Sequence, residues 1–202
     1  MGKITINQKQ ALDYKVNEAI RSLWVNLSNI ASEAKVITFT SVMGKEGKSF
    51  VAFQTACTVA ATGKSCVYVN ANLRAVQDIY EETGVSETLV SYLQTESKLP
   101  VQETDKGNLY VVEAGAPCNQ TIELLANEKY KEFIKTLRDE YDYVIIDTPA
   151  SGEVADAMLS AALCDGVVLV MERGMVPYEQ AQKVKNQLEM NGCKLLGVVL
   201  NK

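Results

Sequence analysis

The sequence predicts an α/β protein built on a doubly wound, mainly parallel sheet. Two features carry that prediction. Short runs such as Val36-Ile37-Thr38-Phe39-Thr40 and Tyr143-Val144-Ile145-Ile146 are β-branched and almost continuously apolar, as strands are when both faces of their sheet are buried. Segments of helical length and period separate them, which is the alternation that places helices on both faces.

The elements follow in order. An amphipathic helix is expected over about residues 8–30, with Leu23, Trp24 and Leu27 on one stripe. That stripe reads as a docking face in preference to a binding site. The polar Ser32-Glu33-Ala34-Lys35 leads into the first apolar strand, and a helix over 48–61 is stopped by Gly63, which adopts the left-handed conformation at little cost. Strands are expected at Cys66-Val67-Tyr68-Val69 and Leu109-Tyr110-Val111-Val112, then a helix with interruptions over 123–141. The strand at 143–146, a helix over 153–163 and a strand at Val167-Val168-Leu169-Val170 come next. A helix over 177–190, ended by Asn191-Gly192, and a strand over 195–200 complete the series. Tyr141 and Tyr143 flank a strand and read as packing residues before phosphoacceptors. No repeat, linker or second domain is visible, so residues 1–202 are expected to form one domain.

Composition narrows the function. Of the 202 residues, 47% are hydrophobic and 22% charged, which excludes a disordered or low-complexity chain. A net charge of −5 argues against a dedicated nucleic-acid binder. The longest apolar stretch, 166–171, is far shorter than the ~20 residues a membrane helix needs. Met1-Gly2-Lys3-Ile4-Thr5 opens no secretory signal, and a cytoplasmic location is expected. The five cysteines are widely spaced with no Cys-x-x-Cys, and read as reduced fillers. With no histidine in the chain, His-based triads and proton shuttles are excluded.

The most informative stretch is Val42-Met43-Gly44-Lys45-Glu46-Gly47-Lys48-Ser49, between the first apolar strand and its helix. A glycine-bearing turn there aims successive backbone N–H groups at one point, and the helix N-terminus adds positive potential. Gly44, Lys45, Glu46, Gly47, Lys48, Ser49 and Phe50 are the expected cradle for ATP or ADP. Lys48 would reach the β and γ phosphates, and Ser49 would ligate Mg²⁺. The match is imperfect, because Val42 stands where the general pattern has glycine. Lys45 reads as a solvated loop lysine before a phosphate contact. Asp147, at the end of the apolar strand 143–146, is the expected second holder of Mg²⁺; alone it would read equally as a turn or cap residue. The expected architecture is that of a P-loop NTPase, and it resembles the MinD/ParA-like three-layer type.

A further strand end reads Asn70-Ala71-Asn72-Leu73-Arg74. With it, the chain resembles the bacterial tyrosine kinases of capsule and exopolysaccharide synthesis over almost its full length. The matching motifs, in order, are Glu18-Ala19-Ile20-Arg21, Gly47-Lys48-Ser49, the Asn70–Arg74 segment, Glu123-Leu124-Leu125, Ile145-Ile146-Asp147-Thr148-Pro149 and Leu196-Gly197-Val198-Val199-Leu200-Asn201. The resemblance implies ATP with Mg²⁺ as cofactors and a membrane-bound polysaccharide co-polymerase or activator as partner. It also implies a cytoplasmic protein held at the inner face of the membrane by that partner. Residues 1–32 then become a possible self-assembly element through Glu18 and Arg21. Asn201 resembles an adenine-contacting position of related ATPases, or is a plain strand-end asparagine.

The departures from the family fall on the chemistry. The family's paired aspartates, which help bind Mg²⁺ and act on the incoming tyrosine hydroxyl, are Asn70 and Asn72 here; an amide carries no charge and accepts no proton. Trp24 replaces the last arginine of the ring-forming helix, and Gly44-Lys45 stands where Pro-Gly is usual. The family's tyrosine cluster beyond the last strand has no counterpart up to Lys202, the nine tyrosines being scattered. The reading that follows is an ATP-binding, tyrosine-kinase-like protein of polysaccharide synthesis and export, with Lys48, Asp147, Asn70 and Asn72 at the catalytic positions and turnover weakened by the two amides. The alternatives are an active kinase acting on a partner in trans, and a positioning ATPase of the MinD/ParA type. The latter usually carries an extra lysine at the place of Met43.

Overall fold

The computed structural model describes residues 4–8, 13–76, 80–83, 87–95 and 98–202. In chain order the elements are β1 (Thr5–Gln8), α1 (Tyr14–Ile30), β2 (Val36–Ser41), α2 (Lys48–Ala61), β3 (Cys66–Asn70), β4 (Tyr80–Thr83), α3 (Leu89–Gln94) and β5 (Gln102–Glu103). They continue with β6 (Leu109–Val112), α4 (Thr121–Leu125), α5 (Glu128–Glu140), β7 (Tyr143–Asp147), α6 (Asp156–Ala161), β8 (Gly166–Glu172), α7 (Tyr178–Met190) and β9 (Leu195–Asn201). Seven strands form one sheet in the order β5-β6-β3-β7-β2-β8-β9, parallel throughout except for the edge strand β5.

Alternation along each strand builds the layers, since neighbouring side chains point to opposite faces. Ile37, Phe39, Cys66, Tyr68, Ile145, Val168 and Val170 pack on one face with Trp24 and Leu27 of α1 and Val51, Phe53 and Val59 of α2. Val36, Val67, Val69, Val144 and Ile146 pack on the other face, against Leu93 of α3, Leu125 of α4 and Tyr130, Phe133 and Leu137 of α5. Val167 and Leu169 meet Ala161 of α6 and Val184 and Leu188 of α7. Trp24 is buried edge-on against Tyr143, with ring centroids 4.8 Å apart, and Tyr141 packs on Tyr110. All five cysteines are free thiols. Burial pushes the Cys164 thiol up to about 12, with the Thr38 hydroxyl bond opposing, so it stays protonated and inert.

Three expectations need correcting. The first helix starts at Tyr14, whereas Gln8 belongs to β1, which pairs antiparallel with β4. Residues 9–12 lie outside those described. The missed signal was a period of two: Ile4 and Ile6 are buried while Thr5 between them is exposed. The helix expected over 153–163 is only Asp156–Ala161, because residues 148–153 form a turn bonded to the β2 end, Ser151 N–H donating to the Ser41 carbonyl at 2.9 Å. The interrupted helix over 123–141 is two helices, α4 and α5; the Asn127 side chain caps α5 by accepting from Lys129 N–H.

Asp165 anchors the sheet where β8 begins. Its carboxylate accepts the N–H groups of Lys35 at 2.9 Å and Val36 at 2.8 Å, and the Arg138 guanidinium at 2.5 Å. Burial works against the charge, but these donors hold the carboxyl below its ordinary value. Because the folded value is depressed, the contribution is present above about pH 4 and lost as pH falls through the folded value. Asp165→Asn should therefore lose about 1–2 kcal/mol at neutral pH. In urea unfolding, the gap from the unmodified protein should narrow as pH falls below about 4.

Candidate nucleotide site

The loop of residues 42–47 leaves the carboxyl end of β2 and enters α2 through Gly47. Gly47 has φ +78°, and a Cβ there would stand 2.2 Å from Asn201 Nδ2, so glycine is required for both conformation and space. Asn201 donates from that amide to the Glu46 carbonyl at 3.1 Å, so the end of β9 braces the loop. The Glu46 carboxylate is buried and accepts from Met43 N–H at 2.6 Å and Glu172 N–H at 3.0 Å. Its side chain therefore ties the loop to the end of β8, and only its backbone is left for a ligand. Phe50 likewise turns its ring into the core beneath α2. Lys45 is exposed and sits at φ +67°, a conformation that glycine takes freely and lysine does not.

Sheet order brings the remaining residues to this loop. Because β7 lies between β2 and β3, Asp147 is in register with Phe39 on one side and Asn70 on the other. Asp147 is fully buried, with Oδ1 3.7 Å from Lys48 Nζ. Lys48 Nζ also donates to Ser49 Oγ at 3.2 Å. Asn70 and Asn72 use their side-chain oxygens locally: Asn70 Oδ1 accepts Asn72 N–H at 3.2 Å and Asn72 Oδ1 accepts Arg74 N–H at 3.3 Å. Two successive Asx-type turns thus shape the segment after β3. Lys48, Ser49, Asp147 and Asn70 therefore meet at one end of the sheet.

Three partners were not read from the sequence. The Tyr68 hydroxyl donates to Asp147 Oδ2 at 3.2 Å within the core; the available signal was one tyrosine in an apolar strand, two residues before Asn70. Arg74 forks onto the buried Asp156, Nε to Oδ2 and Nη2 to Oδ1, both 2.8 Å, joining the turn after β3 to the start of α6. Glu153 accepts from Gly44 N–H at 2.7 Å.

A serine hydroxyl and one aspartate beside a lysine form a hard-oxygen donor set that fits Mg²⁺. Among the described residues no group of three or more metal-ligating side chains occurs. A loop opening a helix at the carboxyl end of a central parallel strand, with Lys48-Ser49 and a buried aspartate on the next strand, is the arrangement of the P-loop NTPase fold.

No family model matches the chain. It is similar to tyrosine-protein kinase CpsD of Streptococcus agalactiae, with 34% identity over 93% of this chain and 84% of the relative. It is also 33% identical, over 85% of its length, to the succinoglycan biosynthesis transport protein ExoP of Rhizobium meliloti, of which it covers 22%. Among solved structures, the kinase domain of the Escherichia coli tyrosine kinase ETK superposes with a TM-score of 0.83 at 25% identity, covering 92% of this chain and 74% of that one. The septum site-determining protein MinD of Pyrococcus horikoshii, complexed with Mg-ADP, gives 0.68 at 26% identity, over 83% of this chain and 71% of that one. The chain belongs to the bacterial tyrosine kinase family. Among the described residues no helix is long and apolar enough to cross a membrane.

Lys45 supplies a direct test of loop strain. Lys45→Gly should relieve about 1 kcal/mol and raise the melting temperature by about 2–4 °C in a thermal scan.

Proposed function

We propose that this protein is a nucleotide-binding, tyrosine-kinase-like component of capsular or exopolysaccharide synthesis whose own phosphoryl transfer is weak. One observation carries the reading: an intact Lys48–Asp147 pair has the amide Asn70 in register beside it, with Asn72 bonded to Asn70 two residues on, where proton removal would be needed. The likeness to CpsD, ExoP and the Mg-ADP complex of MinD supports the nucleotide and the polysaccharide context.

The residues divide the work as follows. The loop backbone from Gly44 to Phe50 and the α2 N-terminus receive the phosphates, and Lys48 carries positive charge toward the β and γ groups. Ser49 and Asp147 would hold Mg²⁺, which neutralises charge on those phosphates when bound. Tyr68 orients the Asp147 carboxylate from behind. Asn70 and Asn72 can orient a hydroxyl but cannot take its proton. General-base assistance is typically worth ~10²–10⁴-fold, so its loss leaves binding intact and transfer slow. Asn201 acts by bracing the loop, and contact with adenine is a further role in this reading. A membrane polysaccharide co-polymerase serves as activator and holds the protein at the inner membrane face. Glu18 and Arg21, now paired with each other at 2.7 Å on α1, are available for self-assembly.

The test is phosphotransfer to a tyrosine-rich peptide with saturating Mg-ATP, beside calorimetric ATP binding. The unmodified chain should bind ATP and give near-background phosphotyrosine. Asn70→Asp with Asn72→Asp should raise the signal ~10²-fold or more. Lys48→Met should weaken ATP binding at least about tenfold. Robust phosphorylation by the unmodified chain would contradict the weakened reading and favour an active kinase.

A further inference from the structure

We infer that the Glu153 carboxylate is a built-in competitor for the terminal phosphate, occupying the Gly44 amide and biasing the loop toward nucleoside diphosphates over triphosphates. This rests on the nucleotide-binding reading above and adds a residue that sets its selectivity.

The turn after β7 is fitted along the phosphate loop contact by contact. Thr148 Oγ1 donates to the Phe39 carbonyl at 3.0 Å, and Ser151 donates to the Ser41 carbonyl from both N–H, at 2.9 Å, and Oγ, at 3.1 Å. Gly152 comes next, where a Cβ would stand 2.2 Å from the Val42 carbonyl oxygen; only glycine allows so close an approach. Glu153 then reaches the following limb of the loop. Its Oε1 accepts Gly44 N–H at 2.7 Å, and its two oxygens stand 3.4 and 3.5 Å from where a Gly44 Cβ would be. The carboxylate thus lies flat over the loop backbone, held there by register.

A loop amide of this kind is where an anion docks, and here an anion from the chain itself is on it at a charge-assisted distance. Gly44 lies in the loop between β2 and Gly47, the residue that opens α2, with its N–H against the turn that continues from Asp147. The phosphates nearest Asp147 are the terminal ones, because Lys48 and a metal held by Ser49 and Asp147 serve the β and γ groups. A diphosphate stops short of Glu153, whereas a triphosphate brings added negative charge toward it. Glu153 is exposed and can swing aside. The cleft it borders is also lined by Met43, Gln180 and Lys183, so a displaced carboxylate has a cation to turn to.

The experiment is calorimetric binding of ATP and ADP, each with Mg²⁺, to the unmodified chain, Glu153→Gln and Glu153→Ala, with thermal melts to confirm folding. Both variants should bind ATP about fivefold more tightly while ADP changes less than about twofold. The gain should shrink at about 1 M salt. ATP binding that appears only in the variants supports the inference most strongly. Equal changes for both nucleotides, no change, or weaker ATP binding in folded variants overturns it while leaving nucleotide binding intact. Failure of all three proteins to bind either nucleotide overturns this inference together with the nucleotide-binding reading.

Discussion

The contact between Lys48 and Asp147 is the constraint on which the rest of this site depends. Asp147 is fully buried, and a carboxylate there is tolerable only with a counter-charge and donors around it. Lys48 supplies the first and Tyr68 contributes a hydroxyl. The pair exists because β7 is inserted between β2 and β3, so that α2, rising from the end of β2, crosses over the strand that carries Asp147. The same insertion sets Asn70 beside Asp147. Fold and site are thus one arrangement: had β3 paired directly with β2, Asp147 would stand away from the loop.

The loop is held from three sides, and each hold has a different physical basis. Glu46 uses a buried carboxylate to gather two backbone N–H groups, Asn201 uses a strand-end amide, and the turn 148–153 lies along the loop backbone. Such bracing lets a loop keep its backbone conformation without a ligand, which lowers the ordering cost of binding. Lys45 works against it locally, holding a left-handed conformation at some cost. Asn70 and Asn72 belong to the same economy. Their oxygens shape a turn that aspartate would also shape, while an amide carries neither the charge nor the proton acceptor of a carboxylate.

Much of this was legible in the sequence, for reasons tied to particular residues. The central strands β2, β3, β7 and β8 are mostly apolar and buried on both faces, and the parallel sheet follows from that. Gly47, Lys48 and Ser49 open the helix that follows β2, and Asp147 ends β7, at the carboxyl end of the sheet where parallel sheets place ligands. What escaped was either too short or set by distant pairing. β1 has four residues and pairs with a partner far along the chain, so its two-residue period is too short to announce a strand, and only its last residue, Gln8, falls within the expected helix. The shortening of α6 follows from hydrogen bonds between the turn after β7 and the end of β2, which no local pattern announces. Tyr68, Glu153 and Asp156 gain their roles only through register, since neighbours in space are 79, 109 and 82 positions from their partners. The side chain of Glu46 shows the converse: a motif residue whose position was foreseen, but whose carboxylate faces inward.

The most direct measurement is the Mg²⁺ dependence of ATP binding, by calorimetry, in the unmodified chain and in Asp147→Asn. If Asp147 holds the metal and sets Lys48, ATP should bind the unmodified chain at least about fivefold more tightly with Mg²⁺ than without. That enhancement should vanish in the folded variant. An equal enhancement in both proteins would contradict the role of the Lys48–Asp147 pair as the centre of the site.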